Sequence, residues 1–372
     1  MRIVVFCHSI VSDWNHGNAH FLRGVASELI AGGNEVIFYE PKDGWSRRNL
    51  TAEHGEKPIR RFHARYPELR SVAYDPASLD LDEALDGADL VLVHEWNSHD
   101  LVAQIGRRRA RGARFRLLFH DTHHRAVTDP NSMAAYDLSG YDGVLTFGEV
   151  LRQIYLRRGW AQRAWTWHEA ADTRLFHPVN EEKIGDLVWI GNWGDGERAA
   201  ELEEFLLGPV RDVRMRARVY GVRYPETALA SLGAAGIEYG GWLPNYEAPR
   251  VFGQHRITVH VPRRPYAEAL RGIPTIRVFE ALACGIPLVS APWVDAEGLF
   301  TAGRDFLTAR HGAEMKAHLV DLLLDPAMRV ELARHGRRTV LARHTCAHRA
   351  AELLAIAAEL GQAKEETAHA VH

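Results

Sequence analysis

A chain of 372 residues with 46% apolar and 25% charged residues is long enough for two domains and ordinary for a folded protein, which excludes disordered, collagen-like and coiled-coil classes for its bulk. The formal net charge of −3, from 45 basic and 48 acidic residues, lacks the basic excess of a dedicated nucleic-acid binder, and 40 Arg against 5 Lys make any single arginine a weak signal. No apolar run reaches the length of a membrane span, no secretory signal opens the chain, and Cys7, Cys284 and Cys346 stand far apart without metal-type spacing, so a cytoplasmic protein with reduced thiols and no transmembrane segment is expected.

In chain order, the apolar run Ile3–Cys7 predicts a strand and Ser9–Gly17 a polar loop. Phe21, Leu22, Val25, Leu29 and Ile30 then lie on one helical stripe that Gly32-Gly33 ends. Strands follow at Glu35–Tyr39, Leu90–Val93, Arg116–Phe119 and Val144–Phe147, with helices at Leu101–Arg111 and Glu149–Arg158 between them. The alternation pauses at the polar stretch Asp172–Asn180 and then resumes. The second series has strands at Leu187–Ile190, Ala217–Tyr220, Ile257–Val261 and Pro287–Ser290. Its helices are expected at Gly196–Leu207, Ile276–Cys284, Ala313–Leu324 and Ala327–Arg343, with a final one at Cys346–Leu360. Such alternation implies parallel sheets covered on both faces, and so two doubly wound α/β domains whose ligands bind at the strand C-termini. The expected division is 1–172 for the first domain, 173–183 for a linker or hinge, 184–344 for the second domain, 345–361 for a closing helix and 362–372 for a tail.

Three stretches carry chemistry. Gly272-Ile273-Pro274-Thr275-Ile276-Arg277-Val278-Phe279-Glu280-Ala281-Leu282-Ala283-Cys284-Gly285 reads as loop, helix and glycine stop, with Arg277 and Glu280 three residues apart on one face. A surface ion pair on an ordinary amphipathic helix is the plainer reading of that pair. Val188-Trp189-Ile190-Gly191-Asn192-Trp193-Gly194-Asp195-Gly196-Glu197-Arg198 runs from a strand through a glycine-rich loop towards a helix. There, backbone N–H groups and Arg198 can meet a phosphate, although a ligand-free turn has the same composition. Trp167-His168-Glu169-Ala170-Ala171-Asp172-Thr173-Arg174-Leu175-Phe176-His177-Pro178 closes the first series with an Asp, a Phe and a Pro.

These stretches resemble the nucleotide-sugar glycosyltransferases with two Rossmann-like domains (GT-B type), nearest the retaining branch and the spore-maturation-type transferases, which carry an Arg just before Phe-Glu-Ala. The resemblance implies two Rossmann-like domains facing across a cleft, with the C-terminal helix crossing back to the first. It further implies transfer of a sugar from a nucleoside diphosphate donor to a hydroxyl-bearing small molecule, glycan or protein, with retention of configuration. On this likeness Glu280 holds the ribose hydroxyls, and a carboxylate suits a vicinal diol because it accepts two hydrogen bonds. The donor set is Gly191, Asn192, Arg198, Trp242, Leu243, Arg263, Thr275, Arg277 and Glu280. One departure stands out: the retaining branch often has a second Glu eight positions before the ribose Glu, and here that position is Gly272.

The first domain is expected to hold the acceptor through loops that leave its strands: His8, Asp13, Gly17 and Asn18 after the first, Glu95 and Asn97 after Leu90–Val93, and His120 and Asp121 after Arg116–Phe119. Trp14, Asn15 and Trp96 complete a mixture suited to sugar hydroxyls. The resemblance implies that His120 contacts the transferred sugar or its reacting centre, with Asp121 the general base if the reaction inverts. His120, Asp121, His123 and His124 also read as a dense cluster of metal ligands, but in no known zinc spacing, and neither a metal nor a cofactor is expected. A nucleotide-sugar 2-epimerase on the same fold and a non-catalytic nucleotide- or sugar-binding protein are the alternatives.

Overall fold

The computed structural model describes residues 1–194 and 196–369. The chain divides into two compact units, Met1–His168 with Cys346–His372, and Glu169–Thr345.

The first unit is built on seven strands: β1 (Arg2–Phe6), β2 (Glu35–Pro41), β3 (Arg70–Tyr74), β4 (Leu90–His94), β5 (Arg116–Asp121), β6 (Gly143–Thr146) and β7 (Ala164–Thr166). All pairs are parallel and the order is 3-2-1-4-5-6-7. The inner strands read as unbroken apolar runs because both of their faces are covered, and β4 is buried along its whole length. Helix α1 (Asn18–Ala31) follows β1 and buries Phe21, Leu22, Val25 and Leu29. It ends at Gly32, and Gly33 takes φ +82°, a left-handed conformation that costs glycine nothing. The strand order reverses between β1 and β4, and the loops leaving those two strands part to either side, which is where open α/β sheets bind ligands.

The second unit repeats the plan with six parallel strands: β8 (Leu187–Ile190), β9 (Ala217–Tyr220), β10 (Ile237–Tyr239), β11 (Ile257–His260), β12 (Leu288–Ser290) and β13 (Leu307–Thr308). Their order, 10-9-8-11-12-13, places the reversal between β8 and β11. Helix α2 (Ile276–Ala283) covers one face, burying Val278, Phe279, Ala281 and Leu282. Helical structure here continues past the expected end at Leu207: one turn at Ala199–Leu202 is followed by a π turn at Glu203–Leu207 and by Gly208–Val213. Pro209 lies at the start of that last segment, where its missing N–H is no loss.

The chain passes between the units at His168/Glu169 and at Thr345/Cys346, and the two passing strands are bridged by Ala171 N donating to His344 O at 3.0 Å. Residues 173–183, expected as a linker, therefore belong to the second unit, and Leu175 and Phe176 are buried in its core. Helix α3 (Cys346–His369) returns to the first unit, where Trp167 Nε1 donates to Arg349 O at 2.9 Å and Leu353, Ala357 and Leu360 are buried. It runs beyond the expected end at Leu360; residues 370–372 of the expected tail lie outside the described residues. No described helix is long and apolar enough to cross a membrane.

The strands that periodicity did not reveal are β3, β7, β10 and β13, all short or mixed in polarity and at or next to a sheet edge. Such strands carry little hydrophobic signal because one side meets solvent.

Candidate functional site

In the second unit, the loop after β8 folds over a buried cation. Arg198, 8% exposed, donates from Nη1 to Val261 O at 2.9 Å and from Nη2 to Asn192 O, so it ties the loop after β8 to the end of β11. Its guanidinium lies 5.0 Å over the Trp189 ring. Gly194 has φ +92°, and a Cβ there would come within 3.1 Å of Arg198 Nε. Among the described residues no carboxylate forms an ion pair with Arg198, and its Nε–H is buried without a partner. Burial, with Arg263 next in effect, lowers its pKa to about 9. A cation held away from water and matched only by carbonyls is costly unless an anion arrives. Sequence reasoning placed Arg198 in the first turn of a helix; it stands instead just before that turn, as its N-cap residue at φ −153°.

Arg263, at the other side of the strand-order reversal, pairs with Glu197 at 3.0 Å. Gly191 and Asn192 shape the loop rather than present side chains: Gly191 N donates to Tyr220 O at 2.8 Å, and Asn192 Oδ1 accepts from Val222 N at 2.8 Å. Thr275 stands just before α2 and makes no side-chain cap, so the first amides of α2 have no capping side chain. Glu280 is 1% exposed, with Oε2 accepting from Arg277 Nη1 at 2.6 Å and Oε1 from Asn245 Nδ2 at 3.2 Å. The pair seen in the sequence thus becomes a triad with Asn245, from the turn that follows Trp242 and Leu243; both of those side chains are half-buried. Gly272 has φ +100°, and a Cβ there would lie 3.2 Å from Ala296 Cβ. A glutamate at that position would be strained in this conformation.

His260, which sequence reasoning passed over, closes this region. It shares a strand face with Thr258, opposite the core residues Val259 and Val261. The Ser290 hydroxyl donates to Ala291 O at 2.8 Å, so the 2.9 Å contact between Ser290 Oγ and His260 Nδ1 requires Nδ1 to carry the proton. The bare Nε2 is buried without a partner, and burial together with the nearby Arg198 charge lowers the pKa to about 3. A polar residue at the last position of a buried strand was the available signal.

In the first unit, two buried charges shape the loop after β1. Glu40 accepts from Ser9 Oγ at 2.5 Å, Ile10 N at 2.9 Å and Ser71 Oγ at 2.6 Å. Arg23 donates to Ile10 O and to Asp13 Oδ2, both at 2.8 Å. Asp13, expected to meet the acceptor, thus has its carboxylate engaged inside the protein. Gly17 and Asn18 open α1, whose first turn lacks a capping side chain.

Around this start the imidazoles form a chain. The rings of His8 and His16 are 5.0 Å apart, those of His16 and His94 6.1 Å, and those of His94 and His120 5.4 Å. Burial lowers His8 to about 4 and His94 to about 3, and holds His16 and His120 well below the usual imidazole value. His94 Nε2 lies 2.7 Å from Glu95 Oε2 without hydrogen-bond alignment, and both groups favour their neutral forms, since burial pushes Glu95 up to about 8. Asp121 is fully buried, accepts from Tyr155 OH at 2.8 Å and His123 N at 3.0 Å, and is pushed up to about 7 by burial and then by Glu95. Asn97 donates from Nδ2 to Phe6 O at 2.9 Å and His94 O at 2.8 Å. Among the described residues no group of three or more His, Cys, Asp or Glu could hold a metal ion.

Comparison with known proteins bears on the fold. Residues 198–355 match the family model described as glycosyl transferase-like. No curated protein matches the sequence. Among solved structures, the chain is similar to sucrose-phosphate synthase from Thermosynechococcus elongatus (TM-score 0.63, 16% identity, 100% of each chain covered). It is similar also to an alpha-glucosyltransferase in complex with UDP and a 13-mer DNA (TM-score 0.69, 12% identity, 96% of this chain and 99% of that one). A third is HepE from Anabaena, in complex with UDP and glucose (TM-score 0.66, 11% identity, 96% and 99%). At these identities the likeness is one of fold, the two-Rossmann-domain fold of glycosyltransferases.

Proposed function

We propose that the chain is a glycosyltransferase on the two-Rossmann-domain fold, moving a sugar from a nucleoside diphosphate donor to a hydroxyl-bearing acceptor, with the donor held by the second unit. The observation that carries this reading is Arg198, a buried guanidinium with no ion-pair partner among the described residues and an unmatched N–H. A diphosphate supplies the missing charge, and the uncapped start of α2 offers it further N–H groups. The Arg277–Glu280–Asn245 triad holds a carboxylate ready for the ribose diol, which can share its lone pairs or displace Asn245.

In the transfer, the acceptor oxygen bonds to the anomeric carbon as the bond from that carbon to the diphosphate oxygen breaks. The electron pair leaves with the nucleoside diphosphate, and the acceptor proton passes to a departing phosphate oxygen. Charge building on the diphosphate is the main barrier, and fixed guanidinium and amide dipoles relieve it without reorganising. Retention suits this site: the Asp121 oxygens accept from Tyr155 OH and His123 N, and burial holds the His120 pKa well below the ordinary imidazole value, so each is a weak base for attack from the opposite face. No metal is needed for this step, and a site within the cytoplasm fits the reduced thiols expected of the sequence. Calorimetry with UDP, GDP, ADP and TDP tests the reading: at least one binds, and Arg198→Leu weakens it by roughly ten- to a hundredfold, the worth of a charge-assisted hydrogen bond. Equal affinity in the variant removes the site assignment. NMR of the product's anomeric configuration tests retention.

A further inference from the structure

The unmatched atoms of the first unit identify the kind of acceptor. Asn97 Nδ2 gives both of its hydrogens to backbone carbonyls, so the amide cannot be flipped, and Oδ1 is a buried acceptor facing no donor. Asn18, at the uncapped start of α1, has both amide atoms buried and unmatched, one donor and one acceptor. His16 Nε2 and His120 Nε2 are likewise buried and unmatched, their rings 6.1 Å and 5.4 Å from that of His94. Two indoles stand on either side in sequence: Trp45, 37% exposed, and Trp96, 42% exposed, each with its ring 6.4 Å from that of His8. Both are held in place, Trp45 by the edge of Trp14 at 5.0 Å and Trp96 by Arg125 at 4.2 Å.

A phosphate, sulfate or carboxylate brings acceptors only, and would leave Asn97 Oδ1 and Asn18 Oδ1 facing lone pairs. An ammonium brings donors only, would leave Asn18 Nδ2 unmatched, and would sit at the positive end of α1. A hydroxyl supplies a donor and an acceptor together. Exposed, rigid indoles favour the C–H faces of a ring that is itself rich in hydroxyls. We infer that the acceptor is an uncharged sugar or cyclic polyol, its hydroxyls on Asn18, Asn97, His16 and His120 at the C-terminal ends of β1, β4 and β5, and a C–H face on Trp45 or Trp96.

This inference rests on the transferase reading, and its test keeps the two apart. Binding of the four nucleoside diphosphates to the full chain is measured first, by calorimetry, and its failure counts against the donor site alone. Methyl α-glucoside, myo-inositol, glucose 6-phosphate and glucosamine are then titrated by saturation-transfer NMR, with and without the diphosphate that binds. At least one neutral compound is expected to bind ten times more tightly than both charged ones. Asn18→Ala should weaken that compound at least tenfold, leave the nucleotide affinity unchanged and not lower Tm, because the amide removed has no partner to lose. Trp96→Ala should weaken it with a similar sparing of the nucleotide. A charged compound binding as well as the neutral ones, no neutral compound binding, or an Asn18→Ala protein with undiminished affinity overturns the inference.

Discussion

Arg198 and Glu95 show two ways a buried ionisable group can persist. Arg198 keeps a charge that carbonyls and the Trp189 ring only partly offset, the arrangement on which the proposed diphosphate site rests. Glu95 gives up its charge, because no cation is aligned with its carboxyl and burial dominates. Between about pH 4 and pH 8 the folded protein holds protons on Glu95 and Asp121 that the unfolded chain has released, so these two groups lower stability as pH rises. The imidazoles act in the opposite sense, but only below about 6.5, where the unfolded chain binds protons that the buried rings refuse. Above pH 6.5 the imidazole contribution ends and the carboxyls continue, joined near the top of the range by the buried thiols of Cys7 and Cys284, which burial holds well above their ordinary value and which act in the same sense. Differential scanning fluorimetry should therefore show Tm falling from pH 6.5 to 8.5, and Glu95→Gln should flatten that slope, since a full proton difference is worth about 1.4 kcal/mol per pH unit. An unchanged slope would mean that Glu95 is ionised in the folded protein.

At the scale of elements, the loops matter more than the strands that launch them. Loops after β8 and β9 approach so closely that a Cβ on Gly221 would fall 2.1 Å from Gly191 O. The turn before Asn245 is bonded to the same place, with Gly221 N donating to Gly241 O at 2.9 Å. Gly221→Ala must therefore push the Gly191 loop, and with it the carbonyl of Asn192 that holds Arg198. We expect it to cost about 1–3 kcal/mol of stability and to weaken nucleoside diphosphate binding, measured by denaturant titration and calorimetry. Full donor affinity in that variant would separate the loop from the site. In the first unit, Glu40 and Arg23 play the corresponding part, pinning the loop between β1 and α1 from below.

At the scale of the whole chain, the first unit is completed only by its last helix. Leu353 and Leu360 of α3 are buried in it, and Cys346 Sγ reaches Phe21 O of α1 at 4.0 Å. Leu353→Ala should cost about 2–5 kcal/mol. A chain ending at Thr345 should lose hydrogen-exchange protection across 1–168 while 169–345 keeps its own, because the second unit contains none of α3. Equal loss in both would mean that the units fold as one.

The sequence by itself determined the two alternating series, the strands around each reversal of order, the helix that carries Arg277 and Glu280 and the loops that hold most of the candidate residues. It could do so because hydrophobic periodicity and glycine stops are local signals, written within ten or twenty residues. It determined much less about what each side chain does. Asp13 and Asn18 look alike as loop polar residues, yet one is bonded to Arg23 and the other has no partner for either amide atom. His260 showed only as a polar residue ending a buried strand, with nothing to say what it meets, and Asn245 lies 35 residues from the Glu280 carboxylate it meets. Which polar groups are matched and which are left over is decided by partners far apart in the chain, and only the packed tertiary structure brings those partners together or keeps them apart.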